Sequence, residues 1–348
     1  MPSSKPEFST QNTQFEFRKL RLREPFRIAH GISSERVVLR FHSGGAIGEA
    51  PFVPYYPDSP EPVRLWLEHM PPLWSATSRA NEDAPAVVKL AADLLHHDLE
   101  AKTHQVPLWK RLAQPDPRGM RACRSLGIPT DLSDFSEQVR ARARQFQALK
   151  LKLGSGNPDY DEAIVATARE AAPHAVLFGD VNGGWSVSEA IKLLPRMEKF
   201  ALSFVEQPVH HAGGIELWRE LHAARSNHSL PLYADESVQT LADLPALAEL
   251  IQGINIKLLK SKGFAGAIAL LAAARSLGLG TLLGCMIESS IGVTAAAHLA
   301  GAFDWIDLDG HLYLADDDFE GLSFDSSGRL QLPDRPGIGV IARSKQHF

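Results

Sequence analysis

From residue 148 onward, apolar and polar positions fall into a repeating pattern in which short apolar stretches end in polar or ionisable residues on one face. The segment 148–153, Ala-Leu-Lys-Leu-Lys-Leu, sets the pattern. Successive strand side chains alternate between faces, so Lys150 and Lys152 lie on one side and Leu149, Leu151 and Leu153 on the other. The arrangement returns in Leu177-Phe178-Gly179-Asp180-Val181-Asn182, Ser203-Phe204-Val205-Glu206, Leu232-Tyr233-Ala234-Asp235-Glu236, Ile254-Asn255-Ile256-Lys257-Leu258 and Trp305-Ile306-Asp307-Leu308-Asp309. Helical spacing over 160–172, 187–198, 214–224, 241–250, 265–277 and 292–302 separates these segments. Such alternation predicts a parallel α/β sheet covered by helices and, at this length, a closed barrel. Both faces of that sheet are buried, so an inward lysine pair is costly unless it does chemistry.

The first 120 or so residues have another texture. Residues 15–22 and 36–41 alternate like antiparallel strands, with Gly44-Gly45 turning into Ile47-Gly48-Glu49-Ala50. A loop at 24–34 is expected between the first two, followed by helices over 61–70 and 84–102. The second helix carries a stripe of Val87, Val88, Leu90, Ala91, Leu94 and Leu95. The proline-rich stretch 107–117 reads as a connection. The expected division is an α+β domain at 1–120, a barrel at 121–315 and a segment at 316–348 that packs back on the first domain. Asp316, Asp317 and Asp318 read as a solvated turn.

Composition narrows the function. A hydrophobic content of 44%, a charged content of 22% and a net charge of −5 fit a globular protein with a small-molecule partner and give no footing for nucleic acid. Two cysteines, Cys123 and Cys285, make no disulfide framework and fit a reducing compartment. Residues 1–12 are polar, neither a secretory signal nor a membrane span, so a cytoplasmic location is expected. The 14 histidines, among them His210, His211 and His222, show no metal-ligand spacing.

Asp180, Glu206 and Asp235 end three consecutive strands, at the end where barrel active sites lie. Three converging carboxylates call for a cation, and hard oxygen ligands suit Mg²⁺ better than Zn²⁺. Lys150 and Lys152 precede this cluster and Lys257 follows it, from the opposite side. The Lys150 ammonium is expected to lower the proton affinity of Lys152 and keep it available as a base. Two lysines facing one carbon can remove a proton from one face and return one to the other, with Mg²⁺ holding the enediolate between the steps.

The set Lys150-Leu151-Lys152, Asp180-Val181-Asn182, Glu206-Gln207-Pro208, Asp235-Glu236-Ser237 and Asn255-Ile256-Lys257 resembles the enolase superfamily in its muconate-lactonising subgroup, whose lysine-plus-Mg²⁺ sites are a known pattern. Pro25-Phe26 with Gly31, Gly48-Glu49-Ala50 and Asp98-Leu99-Glu100-Ala101-Lys102 resemble the family's capping domain, so the likeness spans nearly the whole chain. It implies a (β/α)₇β modified TIM barrel with an α+β capping domain, Mg²⁺ on Asp180, Glu206 and Asp235, and acid/base chemistry on Lys152 and Lys257 supported by Lys150, Asn182 and Asn255. Lys260 and Lys262 compete with Lys257, but Lys260 has the other strand parity.

Asp307-Leu308-Asp309-Gly310 is similar to the segment with which dipeptide epimerases bind the substrate's α-ammonium group. Cys285-Met286-Ile287-Glu288-Ser289-Ser290 also resembles theirs, with Glu288 as a substrate contact or a supporting group. The loop at 24–34, with Phe26, Arg27 and His30, is expected to cover the site together with 53–56. Arg27 is either a partner for an acidic second residue or a solvated surface group. The resemblance thus implies an isomerase: a dipeptide epimerase inverting the α-carbon of the C-terminal residue. The alternatives are an N-acylamino acid racemase, an o-succinylbenzoate synthase, a muconate cycloisomerase or a non-catalytic binding protein on the same scaffold. Homo-oligomerisation stays open, and no membrane partner is expected.

Overall fold

Eight short parallel strands frame the ionisable residues, which lie on them or just past their ends: β4 (Cys123–Leu126), β5 (Ala148–Lys152), β6 (Val176–Asp180), β7 (Val205–Glu206), β8 (Leu232–Ala234), β9 (Gly253–Ile256), β10 (Gly280–Gly284) and β11 (Trp305–Asp307). The computed structural model describes residues 13–69, 83–225 and 230–344. The expectations for 1–12, for the end of the helix at 61–70 and for the last residues of the chain lie outside the described residues. The strands hydrogen-bond in chain order, from β4 through to β11. The ladder leaves a seam between β11 and β4, and side chains bridge it, as detailed for the site below.

The inner face has two layers. Phe178, Phe204, Tyr233, Leu282 and Cys123 form a closed apolar cluster with Trp305 packed against it. Phe178 stacks on Phe204 at 4.6 Å and Phe204 on Tyr233 at 4.0 Å between ring centroids. Gly253 and Gly280 leave room for the Tyr233 ring, because a Cβ at either position would collide with it. Two residues beyond Phe178 and Phe204, at the ends of β6 and β7, the same face carries Asp180 and Glu206, and the next inward position after Tyr233 is Asp235.

Helices return the chain between strands: α4 (Leu132–Ala143), α5 (Pro158–Ala171), α6 (Val187–Glu198), α7 (Gly214–Ala223), α8 (Leu244–Leu247), α9 (Leu258–Ser261), α10 (Phe264–Ser276) and α11 (Ser290–Ala297), numbered after three helices of the N-terminal part. Their starts are written locally. The Asp131 side chain accepts from the backbone N–H groups of Ser133 and Asp134, Asn157 caps α5 ahead of Pro158, and Ser186 with Glu189 closes a capping box on α6. The helix expected over 241–250 is a 3₁₀ turn, Leu241–Asp243, followed by α8, because Pro245 has no N–H to continue a ladder begun at 241. The one expected over 292–302 begins earlier and stops at Ala297.

The N-terminal part holds an antiparallel sheet of β1 (Gln14–Ile28), β2 (Gly31–Ser43) and β3 (Ala46–Pro51), with α1 (Pro60–Glu68), α2 (Ala86–Thr103) and α3 (Leu108–Arg111). The expected loop at 24–34 is instead the end of the β1–β2 hairpin, where the register shifts between Arg21 and Phe26 and Gly31 takes φ +128°. Helix α2 lies so close to β3 that a Cβ on Gly48 would strike the Ala91 carbonyl.

Residues after β11 form two small antiparallel pairs, β12 (Phe319–Glu320) with β15 (Ile341–Ala342) and β13 (Ser323–Phe324) with β14 (Leu330–Gln331). Asp98 of α2 ties this segment down by accepting from Ile338 N at 2.7 Å and Ile47 N at 2.9 Å. The three aspartates are not a solvated turn: Asp316 accepts from Arg21, Asp317 from Ser290 at the start of α11, and Asp318 from Arg18 and Arg40. Among the described residues no helix is long and apolar enough to cross a membrane.

Candidate active site

Asp180, Glu206 and Asp235 are buried and converge, each offering a carboxylate oxygen within 4.8 Å of the others. The backbone beyond two of these strands is forced into the left-handed region, with φ 47° at Asn182 and 40° at Gln207. Side chains secure both positions. Asn182 N–H donates to Asp180 Oδ1 at 3.0 Å. Gln207 Oε1 accepts from the N–H groups of Asp235 and Ser237, joining β7 to β8, while its Nε2 donates to Val209 O and Ser237 Oγ. Asn255 Nδ2 donates to Glu206 Oε1 at 2.7 Å.

Two further carboxylate oxygens, Glu206 Oε2 and Asp235 Oδ1, are buried without a hydrogen-bond partner. Ammonium groups are close to both, Lys150 at 2.8 Å and Lys260 at 2.5 Å, but off the hydrogen-bond direction. Burial, reinforced by Asp180, pushes Glu206 up to about 8. A cluster of three carboxylates, two with orphaned buried oxygens, fits a hard divalent cation such as Mg²⁺.

The lysines come from both sides of this cluster. Lys152 Nζ donates to Asp180 Oδ2 at 2.5 Å and to Asn182 Oδ1 at 3.2 Å. Lys257 Nζ, just beyond β9, donates to Asp235 Oδ2 at 2.6 Å. Both line one cavity with Phe26, Ile28, Ser33, Arg36, Val53, Tyr55, Asn182, Asp307 and Asp309. Lys150 stays behind the wall, donating to Asp307 Oδ2 at 2.8 Å, with Asp180 and Glu206 oxygens at 3.0 and 2.8 Å. Burial works against its charge, yet those carboxylates hold its proton affinity well above that of an ordinary lysine. Lys150 is therefore a cross-barrel strut between carboxylates, which differs from its expected part as a neighbour that loosens the proton on Lys152. Lys260 donates to the backbone carbonyls of Asp235 and Asn255, as its parity suggested, and does not line the cavity.

Asp307 and Asp309 reach the cavity from the seam between β11 and β4. Asp307 Oδ1 accepts from Cys123 Sγ at 3.3 Å and Ser125 Oγ at 3.0 Å. Asp309 Oδ2 accepts from Ser125 N, Arg124 Nη1 and the Tyr313 hydroxyl at 2.7, 3.0 and 2.9 Å. Burial opposes ionisation of both; Lys150 outweighs it at Asp307, while at Asp309 burial and Asp307 keep the carboxyl above its usual range despite Arg124. Among the described residues none donates a hydrogen bond to Asp309 Oδ1. Arg124, Ser125 and Tyr313 were absent from the sequence reading, since their pairing with Asp309 exists only once the barrel closes.

The remaining expected residues divide. Phe26 lines the cavity and packs on Tyr313 at 4.6 Å between centroids. Arg27 does not line the cavity but an adjoining cleft of about 470 Å³, which shares Phe26, Ser125 and Tyr313 with it and also holds Glu24, Asp131 and Asp134. Glu288 turns back to accept from Met286 N at 3.1 Å and does not line the cavity. Val53 and Tyr55 do cover it, and Tyr55 stacks on His30 at 4.3 Å. His210 and His211 stack on one another at 4.6 Å beside His30, and neither lines the cavity.

Comparison with known proteins agrees with this geometry. The family described as "Enolase C-terminal domain-like" matches residues 134–345. A hydrophobic dipeptide epimerase of Roseobacter litoralis is 36% identical over 261 residues, covering 72% of each chain. The solved L-Ala-D/L-Glu epimerase of Bacillus subtilis, in a substrate-liganded complex, superposes with a TM-score of 0.84 at 26% identity, over 95% of this chain and 98% of that one. A dipeptide epimerase of Methylococcus capsulatus, complexed with Mg and L-Arg-D-Lys, gives 0.82 at 27% identity, over 95% and 99%. With the family matched over seven of the eight barrel strands, the inward carboxylate cluster and its lysines in place, this chain belongs to the enolase superfamily and is an isomerase of the racemase and epimerase kind.

Proposed function

We propose that the chain epimerises dipeptides at the α-carbon of the C-terminal residue, with Mg²⁺ held by Asp180, Glu206 and Asp235. The observation that carries this reading is the cavity itself. Lys152 and Lys257 enter it from opposite sides of the barrel, and Asp307 and Asp309 form a third part of its wall. When bound, Mg²⁺ supplies positive charge against the negative charge that develops on the substrate carboxylate as the α-proton leaves. Lys152 Nζ takes or gives that proton on one face, and Lys257 Nζ does so on the other. Asp180 and Asn182 aim the first ammonium and Asp235 the second.

Asp309, with an oxygen no described residue engages, and Asp307 receive the substrate's α-ammonium group. An N-acylated amino acid brings no cation to that wall, which favours the dipeptide over N-acyl substrates. Phe26, Ile28, Val53, Met286 and Ile287 keep water from the exchanging carbon. The test is ¹H NMR in D₂O with Mg²⁺, incubating the protein with L,L-dipeptides and with N-succinyl amino acids. The C-terminal α-proton signal should vanish and a diastereomer appear for dipeptides; exchange confined to N-succinyl amino acids would contradict the reading.

A further inference from the structure

Lys152 has to present its proton, or the lone pair left once the proton has gone, to the substrate's α-carbon, and its neighbours decide where that position points. Two of the three positions on Nζ are taken: Asp180 Oδ2 accepts at 2.5 Å and Asn182 Oδ1 at 3.2 Å. The third is left for the cavity that Lys152 lines. A carboxylate such as Asp180 can only accept, whichever form the lysine takes. Asn182 is different, because an amide carries an acceptor on one side and two donors on the other, and a half-turn exchanges them. Facing a neutral amine, a turned amide would donate an Nδ2–H to the lone pair and withdraw it from the substrate.

What holds the amide lies on its other side. Asn182 Nδ2 donates to Glu236 Oε1 at 3.1 Å. That carboxylate dictates an NH₂ group on its own side and so an oxygen towards Lys152, whether or not the lysine carries its proton. Little water reaches the contact: Asn182 and Glu236 are 2% and 3% exposed. His30 Nε2 of the β1–β2 hairpin lies 4.0 Å from Glu236 Oε1, with its ring stacked on Tyr55. In such surroundings partners, not solvent, orient a buried amide. The Asn182 backbone is pinned as well, at φ 47° with its N–H on Asp180 Oδ1. Glu236 itself does not line the cavity. Lys257 has no such arrangement: Asp235 Oδ2 accepts from it at 2.6 Å, and among the described residues no side-chain amide does. We infer that Glu236 is a positioning residue for Lys152, fixing the Asn182 amide so that the proton-carrying position of Nζ stays aimed at the substrate. This rests on the two-lysine epimerase reading and adds to it a residue outside the cavity.

The experiment follows α-proton exchange in D₂O with Mg²⁺, from each diastereomer of one dipeptide separately, in the wild type, Glu236→Gln, Asn182→Ala and the double variant. Lys152→Ala and Lys257→Ala tell the two faces apart, since each should silence exchange of one diastereomer. A glutamine at 236 both donates and accepts, so it no longer dictates how the amide turns. Glu236→Gln should therefore slow exchange of the Lys152-facing diastereomer by roughly 10- to 100-fold, the range of a hydrogen bond to a charged group. The Lys257-facing diastereomer should change by no more than about 2-fold. Asn182→Ala should reproduce this one-sided loss, and adding Glu236→Gln to it should cost nothing further. Equal slowing of both diastereomers, or losses that multiply in the double variant, overturn the inference and leave the epimerase reading standing. So does a Glu236→Gln protein whose melting temperature no longer rises with Mg²⁺, because Glu236 then acts through Asp235. Absence of exchange with every dipeptide, or lysine variants that do not separate the faces, removes the reading and the inference together. Should Glu236→Gln not fold by circular dichroism, Glu236→Ala, which also frees the amide, is read in the same way.

Discussion

Along β6 and the run that leads into β7, the inward residues Phe178 and Phe204, and after them Asp180 and Glu206, share one face, yet they do opposite work. The first pair, with Tyr233 of β8, stacks into an apolar plug with ring centroids 4.0 to 4.6 Å apart. The second pair, joined by Asp235, is an ionic layer held by Lys150, Lys152 and Lys257. One pleat repeat, about 6.6 Å of strand, separates them. The plug draws its stability from burial and fixes the spacing of the strands. The ionic layer gains little from burial, because each charge loses its water and regains only what its partners return. Stability and chemistry are thus assigned to successive steps of one periodicity, and substitutions in the two layers should fail differently.

The largest contrast is expected from a matched pair of variants. Glu206→Gln should lower dipeptide epimerisation by about 10³-fold and abolish the rise in melting temperature on adding Mg²⁺. Phe204→Ala should cost about 3–5 kcal/mol of stability in urea unfolding, yet keep the Mg²⁺-dependent rise, since no cation ligand is touched. A Phe204→Ala protein that no longer responds to Mg²⁺ would mean the layers are not separable.

His298, in neither layer, sharpens the contrast, being buried as a neutral group held by hydrogen bonds alone. Its Nδ1 accepts from Trp109 N and its Nε2 donates to Ile338 O, both at 3.0 Å. Burial lowers it to about 4, below its unfolded value of 6.5, so its contribution is full above about pH 6.5 and is lost as the pH falls towards 4. Between pH 7 and 4.5 the wild type should lose about 2 kcal/mol more than His298→Gln in urea unfolding. Equal losses would show that the histidine titrates freely in the fold.

Much of the barrel was legible because strand parity is local. A residue two positions beyond an inward-facing one must also point inward, and Lys152, Asp180, Glu206 and Lys257 do. The carboxylate cluster followed from that parity together with the place of its members at three successive strand ends. What stayed hidden depends on closure. Strand β4 carries no periodic signal of its own, and its Arg124 and Ser125 meet Asp309 only across 184 or 185 residues of chain. Arg36 sits on β2 in a stretch that reads as an ordinary alternating strand, and its place in the cavity wall is a property of the closed fold. Arg27, in the same hairpin but beyond the register shift after Arg21, lines the adjoining cleft and not the cavity. Lys150 was placed on the correct face, but its partner Asp307 lies 157 residues away.

The central claim is that Lys152 and Lys257 serve the two faces of one carbon. The most direct measurement follows epimerisation and α-proton exchange by ¹H NMR in D₂O, starting from each diastereomer of one dipeptide, in Lys152→Ala and in Lys257→Ala. Each variant should lose net epimerisation by about 10³-fold or more while still binding Mg²⁺. Epimerisation at the wild-type rate in either variant would contradict the two-lysine account.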